Sequence, residues 1–101
     1  MYGLSERTLN TLGALFQKYP GIERVTLYGS RAKGNYRNGS DIDITLHTDG
    51  TFGDNELSRL ANDFDDSDMP YFVDVSIYHQ LQDTGLKAHI QRVGKVLYTK
   101  G

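Results

Sequence analysis

Asp41 and Asp43 stand two apart in the run Ser40-Asp41-Ile42-Asp43. On an extended strand that spacing turns both carboxylates to one face, side by side. Two like charges held there repel and gain nothing for stability unless something positive sits between them. A hard divalent cation with oxygen ligands is the natural candidate; a merely solvated strand edge is the alternative. Asp74 is the only charged residue in Phe72-Val73-Asp74-Val75-Ser76-Ile77, and it alternates onto the less aliphatic side. If the two segments neighbour each other in one sheet, Asp74 joins the pair. Three carboxylates on one face suit two-metal phosphoryl or nucleotidyl transfer. For Asp74 alone, a backbone-bonded residue near a strand end is the competing reading.

A second feature lies just upstream. The segment Gly29-Ser30-Arg31-Ala32-Lys33-Gly34 follows the apolar run that ends at Tyr28. Gly29 offers no side chain to obstruct a phosphate. Backbone N–H groups at the start of a helical turn, with the Ser30 hydroxyl, can grip phosphate oxygens. Arg31 and Lys33 could add positive charge, or could simply face solvent.

These residues need elements to hold them. Ser5 can cap a first helix in which Leu9, Leu12, Leu15, Phe16 and Tyr19 fall at helical spacing, stopped by Pro20-Gly21. Arg24 to Tyr28 reads as a short strand with Val25 and Leu27 on one face. From Asp41 to His47 the alternation puts Ile42, Ile44 and Leu46 opposite Asp41, Asp43 and Thr45. Asp54 can cap a helix carrying Leu57, Leu60, Ala61 and Phe64. Phe72 to Ile77 is the next strand, Thr84 can begin a last helix ended by Gly94, and Val96 to Tyr98 reads as a closing strand. Helices interleaved with strands imply an α/β (α+β) fold, a small sheet with helices packed on it.

Composition removes other classes. A chain of 101 residues has room for one small domain, and residues 1–101 read as one. No apolar stretch is long enough for a membrane span, so no membrane partner is expected. The absence of cysteine excludes disulfides and thiolate chemistry and fits a cytoplasmic protein. Eleven Lys and Arg against thirteen Asp and Glu leave a formal charge of −2, so no direct nucleic-acid binding is expected. Asp63, Asp65, Ser67 and Asp74 touch a calcium-loop template, but Asp68 stands where glycine is needed and Pro70 intrudes. The acidic run Asp63 to Asp68 reads as a solvated helix end and loop, with a docking surface for a basic partner as the alternative. His47, His79 and His89 lack paired-ligand spacing.

Gly29-Ser30, ten intervening residues, then Asp41-Ile42-Asp43 resembles the signature of the nucleotidyltransferase superfamily that includes DNA polymerase β. The wording Gly-Ser-Arg-Ala-Lys-Gly with Ser-Asp-Ile-Asp is most similar to the minimal nucleotidyltransferases, or MNT proteins, and the element order fits along nearly the whole chain. Lys33 stands where family members often carry Arg, which keeps the charge. Larger members add a C-terminal acceptor domain, which this chain, ending at Gly101, does not show.

The resemblance implies a polymerase β palm-like fold with a mixed sheet. It implies that Ser30 and the backbone after Gly29 hold the β- and γ-phosphates of a nucleoside triphosphate, with Arg31 and Lys33 as further phosphate contacts. It implies that Asp41 and Asp43 bind two Mg²⁺ ions, with Mn²⁺ an alternative, and that Asp74 completes the catalytic metal site. The implied reaction moves AMP from ATP to a hydroxyl of a HEPN-domain toxin, making the chain an antitoxin, with an oligomer formed with that partner left open. Two alternatives stay open: a non-catalytic nucleotide-binding antitoxin acting by complex formation, and transfer to a small-molecule acceptor.

Overall fold

The run Ile22-Glu23-Arg24-Val25-Thr26-Leu27-Tyr28 forms the central strand β1, and Val25 and Leu27 are both fully buried along it. The computed structural model describes all residues, Met1–Gly101. Before β1 comes helix α1, Glu6–Gln17, whose N-cap Ser5 accepts a hydrogen bond from the Thr8 amide at 3.1 Å. After β1 come the short helix α2, Gly29–Lys33, and strand β2, Ile42–Thr48. Helix α3 (Asp54–Asp66), strand β3 (Val73–Ile77), a 3-10 turn (Tyr78–Gln80), helix α4 (Thr84–Val93) and strand β4 (Lys95–Thr99) complete the chain.

The strands lie in the order β3-β2-β1-β4. β1 is antiparallel to both β2 and β4, whereas β2 and β3 run parallel. The sheet is therefore mixed, as the resemblance implies. The parallel pair needs a crossover, and α3 supplies it.

Alternation divides the sheet into two unlike faces. Val25, Leu27, Ile42, Ile44, Leu46, Val73 and Ile77 point to one side and join Leu12 and Phe16 of α1 and Leu60 and Phe64 of α3 in a single core. Phe16 and Phe64 meet edge to face at 6.2 Å across it. The opposite face carries Tyr28, Asp43 and Asp74 in one row and Thr26, Thr45 and Ser76 in the next. α4 lies against this second face near β1, and its one buried residue, Ile90, stands outside the main core. Thr45 is fully buried and is satisfied by the Ser76 hydroxyl at 3.0 Å.

One helix cap differs from the sequence expectation, and the ends of α4, which fall at Thr84 and Gly94 as expected, show how they are held. The N-cap of α3 is Gly53, not Asp54; its amide donates to the Glu56 carboxylate at 3.3 Å. The cap of α4 is Asp83, which accepts from the Leu86 amide at 3.1 Å, and Thr84 is the first helical residue. Gly94 does end α4, but with φ −62°, so left-handed geometry is not the reason. A Cβ there would run into the Ile90 carbonyl and, at 2.6 Å, the Thr26 methyl, so Gly94 is needed for close packing of helix on sheet.

Candidate active site

The parallel register of β2 and β3 sets Asp43 directly opposite Asp74. The antiparallel register of β1 and β2 sets Tyr28 opposite Asp43 on its other side. Tyr28, Asp43 and Asp74 thus form one row across three strands, at the end of the polar face where β1 delivers the chain into α2. Asp41 lies just before β2 and is exposed, as is Asp74; Asp43 is half-buried.

Burial pushes the Asp43 carboxyl above its ordinary range, and the charges of Asp74 and then Asp41 push it further. The chain's ion pairs, Arg7–Asp68 and Lys18–Asp63, lie elsewhere. Burial also raises the Tyr28 phenol, with Asp74 and Asp43 adding to it and a hydrogen bond with Ser76 opposing. Its ring meets the edge of His89 of α4 at 6.3 Å. Tyr28 escaped the sequence reading because it looked like an ordinary strand end. Its place follows only once β1 and β2 are known to pair.

Gly29 turns the corner with φ +76°, a conformation that favours glycine. A Cβ at this position would strike the Asp43 carboxylate, the nearest atoms being Oδ2 and Cγ. The expectation from sequence was that glycine clears space for a phosphate. The geometry adds a closer reason: glycine lets the turn pass over Asp43 itself. Ser30 follows at the start of α2, half-buried, and its carbonyl accepts from the amides of Gly34 and Asn35. Lys33 is exposed on the same short helix.

Arg31 is not where a phosphate contact would need it. It is only 2% exposed, and its guanidinium donates to backbone carbonyls of Ser40 and Tyr2. Motif reading took it as surface charge because a cation in a polar, glycine-rich stretch is normally solvated.

No group of three His, Cys, Asp or Glu side chains converges closely enough to hold a metal ion unaided. Repulsion among adjacent carboxylates favours such spreading when no cation compensates them. The donor set still fits a divalent cation. Oxygen donors of uncompensated negative charge, one of them half-buried beside another, are what a hard cation takes, with phosphates and water supplying the remaining ligands.

Comparisons with known proteins agree with this fold. The family model described as Polymerase beta, Nucleotidyltransferase matches residues 10–101. A search of curated proteins finds no match. Among solved structures, a crystal structure of a toxin-antitoxin with AMP-PNP is similar at 25% identity and a TM-score of 0.74, covering 91% of this chain and 73% of that one. A mutant of the toxin-antitoxin MntA-HpeT is similar at 26% identity and a TM-score of 0.73, covering 96% and 74%. A Shewanella oneidensis structure, a tri-AMPylated HEPN toxin in complex with MNT antitoxin, shares the fold at 22% identity and a TM-score of 0.59, covering 91% and 70%. With the family model running from within α1 to the last residue and paired aspartates set across a mixed sheet, this chain belongs to the polymerase beta nucleotidyltransferase family.

Proposed function

We propose that this nucleotidyltransferase moves AMP from ATP to a tyrosine hydroxyl of a HEPN-domain partner, forming a phosphodiester as the α–β phosphoanhydride breaks and pyrophosphate leaves, and so acts as an antitoxin. The observation that carries the reading is the pairing of Asp43 with Asp74 on an open polar face beside the Gly29-Ser30 turn. The donor is supported by the similar toxin-antitoxin structure with AMP-PNP. The acceptor is supported by the resemblance to MNT proteins and by the fold shared with an MNT antitoxin complex whose toxin is tri-AMPylated.

Asp41 and Asp43 would hold two divalent ions, with Asp74 completing one of the coordination spheres; Mg²⁺ and Mn²⁺ both suit these oxygens. When bound, the ions neutralise triphosphate charge and make the acceptor hydroxyl more acidic. The chain's own residues do the rest. Ser30 and the amides of the turn orient the triphosphate tail. α2 has only five residues, so local hydrogen bonds matter here more than a helix dipole. Lys33 is free to approach the outer phosphates. Asp74, exposed at the edge strand, is open to an acceptor arriving from outside and can take the proton of its hydroxyl. Most of the catalysis lies in positioning and charge.

The test is incubation with labelled ATP, Mg²⁺ and a HEPN-domain partner. Label on a partner tyrosine, absent with Asp43→Asn, supports the reading. A tight complex with no transferred label overturns it in favour of a nucleotide-binding module.

A further inference from the structure

Arg31 is the one charged residue inside the protein, and its burial leaves it unsuited to the phosphate contact that the resemblance implies. Its Nε and Nη2 donate to the Ser40 carbonyl at 3.1 and 2.7 Å, a two-pronged grip on one oxygen. Its Nη1 donates to the Tyr2 carbonyl at 3.0 Å. The guanidinium carbon lies 4.7 Å from the ring centre of Tyr71 and 5.3 Å from that of Tyr36. Neither ion pair of the chain involves it, so carbonyl dipoles and aromatic faces alone compensate the buried charge.

The partners explain what the arrangement holds. The Ser40 carbonyl belongs to the peptide that joins Ser40 to Asp41. Ser40 is fixed from the other side as well: its hydroxyl accepts from the Arg37 amide at 2.8 Å and its amide donates to the Arg37 carbonyl at 3.0 Å. Tyr71 stands one residue before Phe72, whose carbonyl accepts from the Ile42 amide at 2.9 Å. One side chain therefore touches the approaches to both strands that carry the aspartates. The N-terminal segment is bent to serve it. Tyr2 takes φ 56°, and a Cβ on Gly3 would meet the Tyr36 ring and, at 3.0 Å, Arg31 Nη1.

We infer that Arg31 is a positioning residue that clamps the Ser40–Asp41 peptide, fixes the Asp41 carboxylate relative to Asp43, and thereby sets the site's affinity for divalent metal. The inference rests on the metal reading of Asp41 and Asp43 above. Asp41 precedes β2 and lacks strand pairing of its own, so something outside the sheet must hold it. A lysine keeps the charge but cannot reproduce the planar fork that reaches two carbonyls and lies on two rings.

The experiment compares wild type, Asp43→Asn, Arg31→Lys, Arg31→Ala and Phe16→Leu, the last being a core change remote from the site. Mn²⁺ affinity is titrated by loss of the free-ion resonance, with AMP-PNP present, below the melting temperature of every variant. Residues that orient metal ligands typically change affinity about 10- to 100-fold. The expected result is Mn²⁺ binding weakened about 10-fold in Arg31→Lys and unchanged in Phe16→Leu, though both melt earlier. In transfer assays at saturating Mn²⁺, Arg31→Lys should recover most of its rate, which separates a metal-affinity effect from general damage. If Arg31→Ala does not fold, Arg31→Lys carries the comparison. Equal Mn²⁺ affinity in wild type and Arg31→Lys overturns the positioning role alone. Wild type that binds Mn²⁺ no better than Asp43→Asn overturns the metal reading and this inference with it.

Discussion

Asp63 and Asp43 are both half-buried carboxylates, and their surroundings act in opposite directions. Asp63 accepts from the Tyr19 hydroxyl at 2.6 Å and from Lys18 Nζ at 3.0 Å. The Tyr19 bond, then the Lys18 bond, hold its carboxyl below the usual range. Tyr19 in turn is pushed up to about 12 by burial, then by its bond to Asp63 and by that charge. Asp43 is raised instead, by burial first, then by Asp74 and Asp41. One carboxylate ties the end of α1 to α3. The other is held against its electrostatic preference. An uncompensated cluster points to a ligand, whereas a solved charge points to the scaffold. The acidic run from Asp63 to Asp68 looked the richer in sequence, yet it belongs mostly to the scaffold. Its ion pair Arg7–Asp68, at 3.9 Å with both side chains at least 86% exposed, adds little.

The sharpest way to break this contrast is Asp43→Asn or Asp74→Asn. Each should lower nucleotidyl transfer by on the order of 10²- to 10³-fold, while the metal-free protein melts no earlier than wild type. Wild-type transfer by both variants, with Mg²⁺ in excess, would remove the pair from the site.

Gly29→Val tests the contact between turn and carboxylate. Left-handed backbone on a branched residue costs about 1–3 kcal/mol, and the new Cβ must displace Asp43. Both the melting temperature and AMP-PNP affinity should fall. A variant that loses stability but keeps full affinity would show that the phosphates bind away from this turn.

The mirror-image change is Tyr19→Phe, which removes the donor at Asp63. It should cost about 1 kcal/mol, read as a melting temperature lower by about 4–8 °C, with the transfer rate unaltered. A loss of transfer larger than the loss of stability would make the α1–α3 tie part of the catalytic machinery.

The smallest effect is in the pH dependence. A carboxyl raised in the folded state destabilises the protein when ionised, and that penalty is relieved as pH falls through the folded pKa. Asp43→Asn should therefore melt above wild type at about pH 7 in chelator, and the gap should close toward about pH 4. A gap that widens on acidification would mean that Asp43 is stabilised by a partner after all.

Much of the site was legible because its signals are local. Gly29 survives into the structure as a positive-φ turn and Asp43 as a strand residue opposite Asp74, whereas Asp41, read as the first strand residue, lies just before β2. The apolar alternation in β1, β2 and β3 survives as the buried side of the sheet. The cap of α3 was less legible, since Gly53 and Asp54 differ by one residue and by which group turns inward, whereas the start of α4 at Thr84 follows the sequence. Thr26 and Thr45 could not be recognised as buried, because their satisfaction depends on His47 and Ser76 from other strands. Phe72, read as the first strand residue on the face of Asp74, lies one residue before β3 and is 65% exposed.

Residue type and spacing were enough to establish that strands and helices alternate, that one sheet face is apolar, and that a small-residue turn precedes two aspartates at the start of the next strand. Those properties come from backbone periodicity and from glycine's missing Cβ, which act within a few residues. The folded chain alone decided that Asp74 stands opposite Asp43, that Tyr28 closes the row, and that Arg31 points inward to the Ser40 carbonyl rather than outward to solvent. Each of these depends on strand order and register, or on segments far apart in sequence reaching one point. Pairing energies and burial summed over the whole sheet select among such arrangements, and no local pattern encodes that sum.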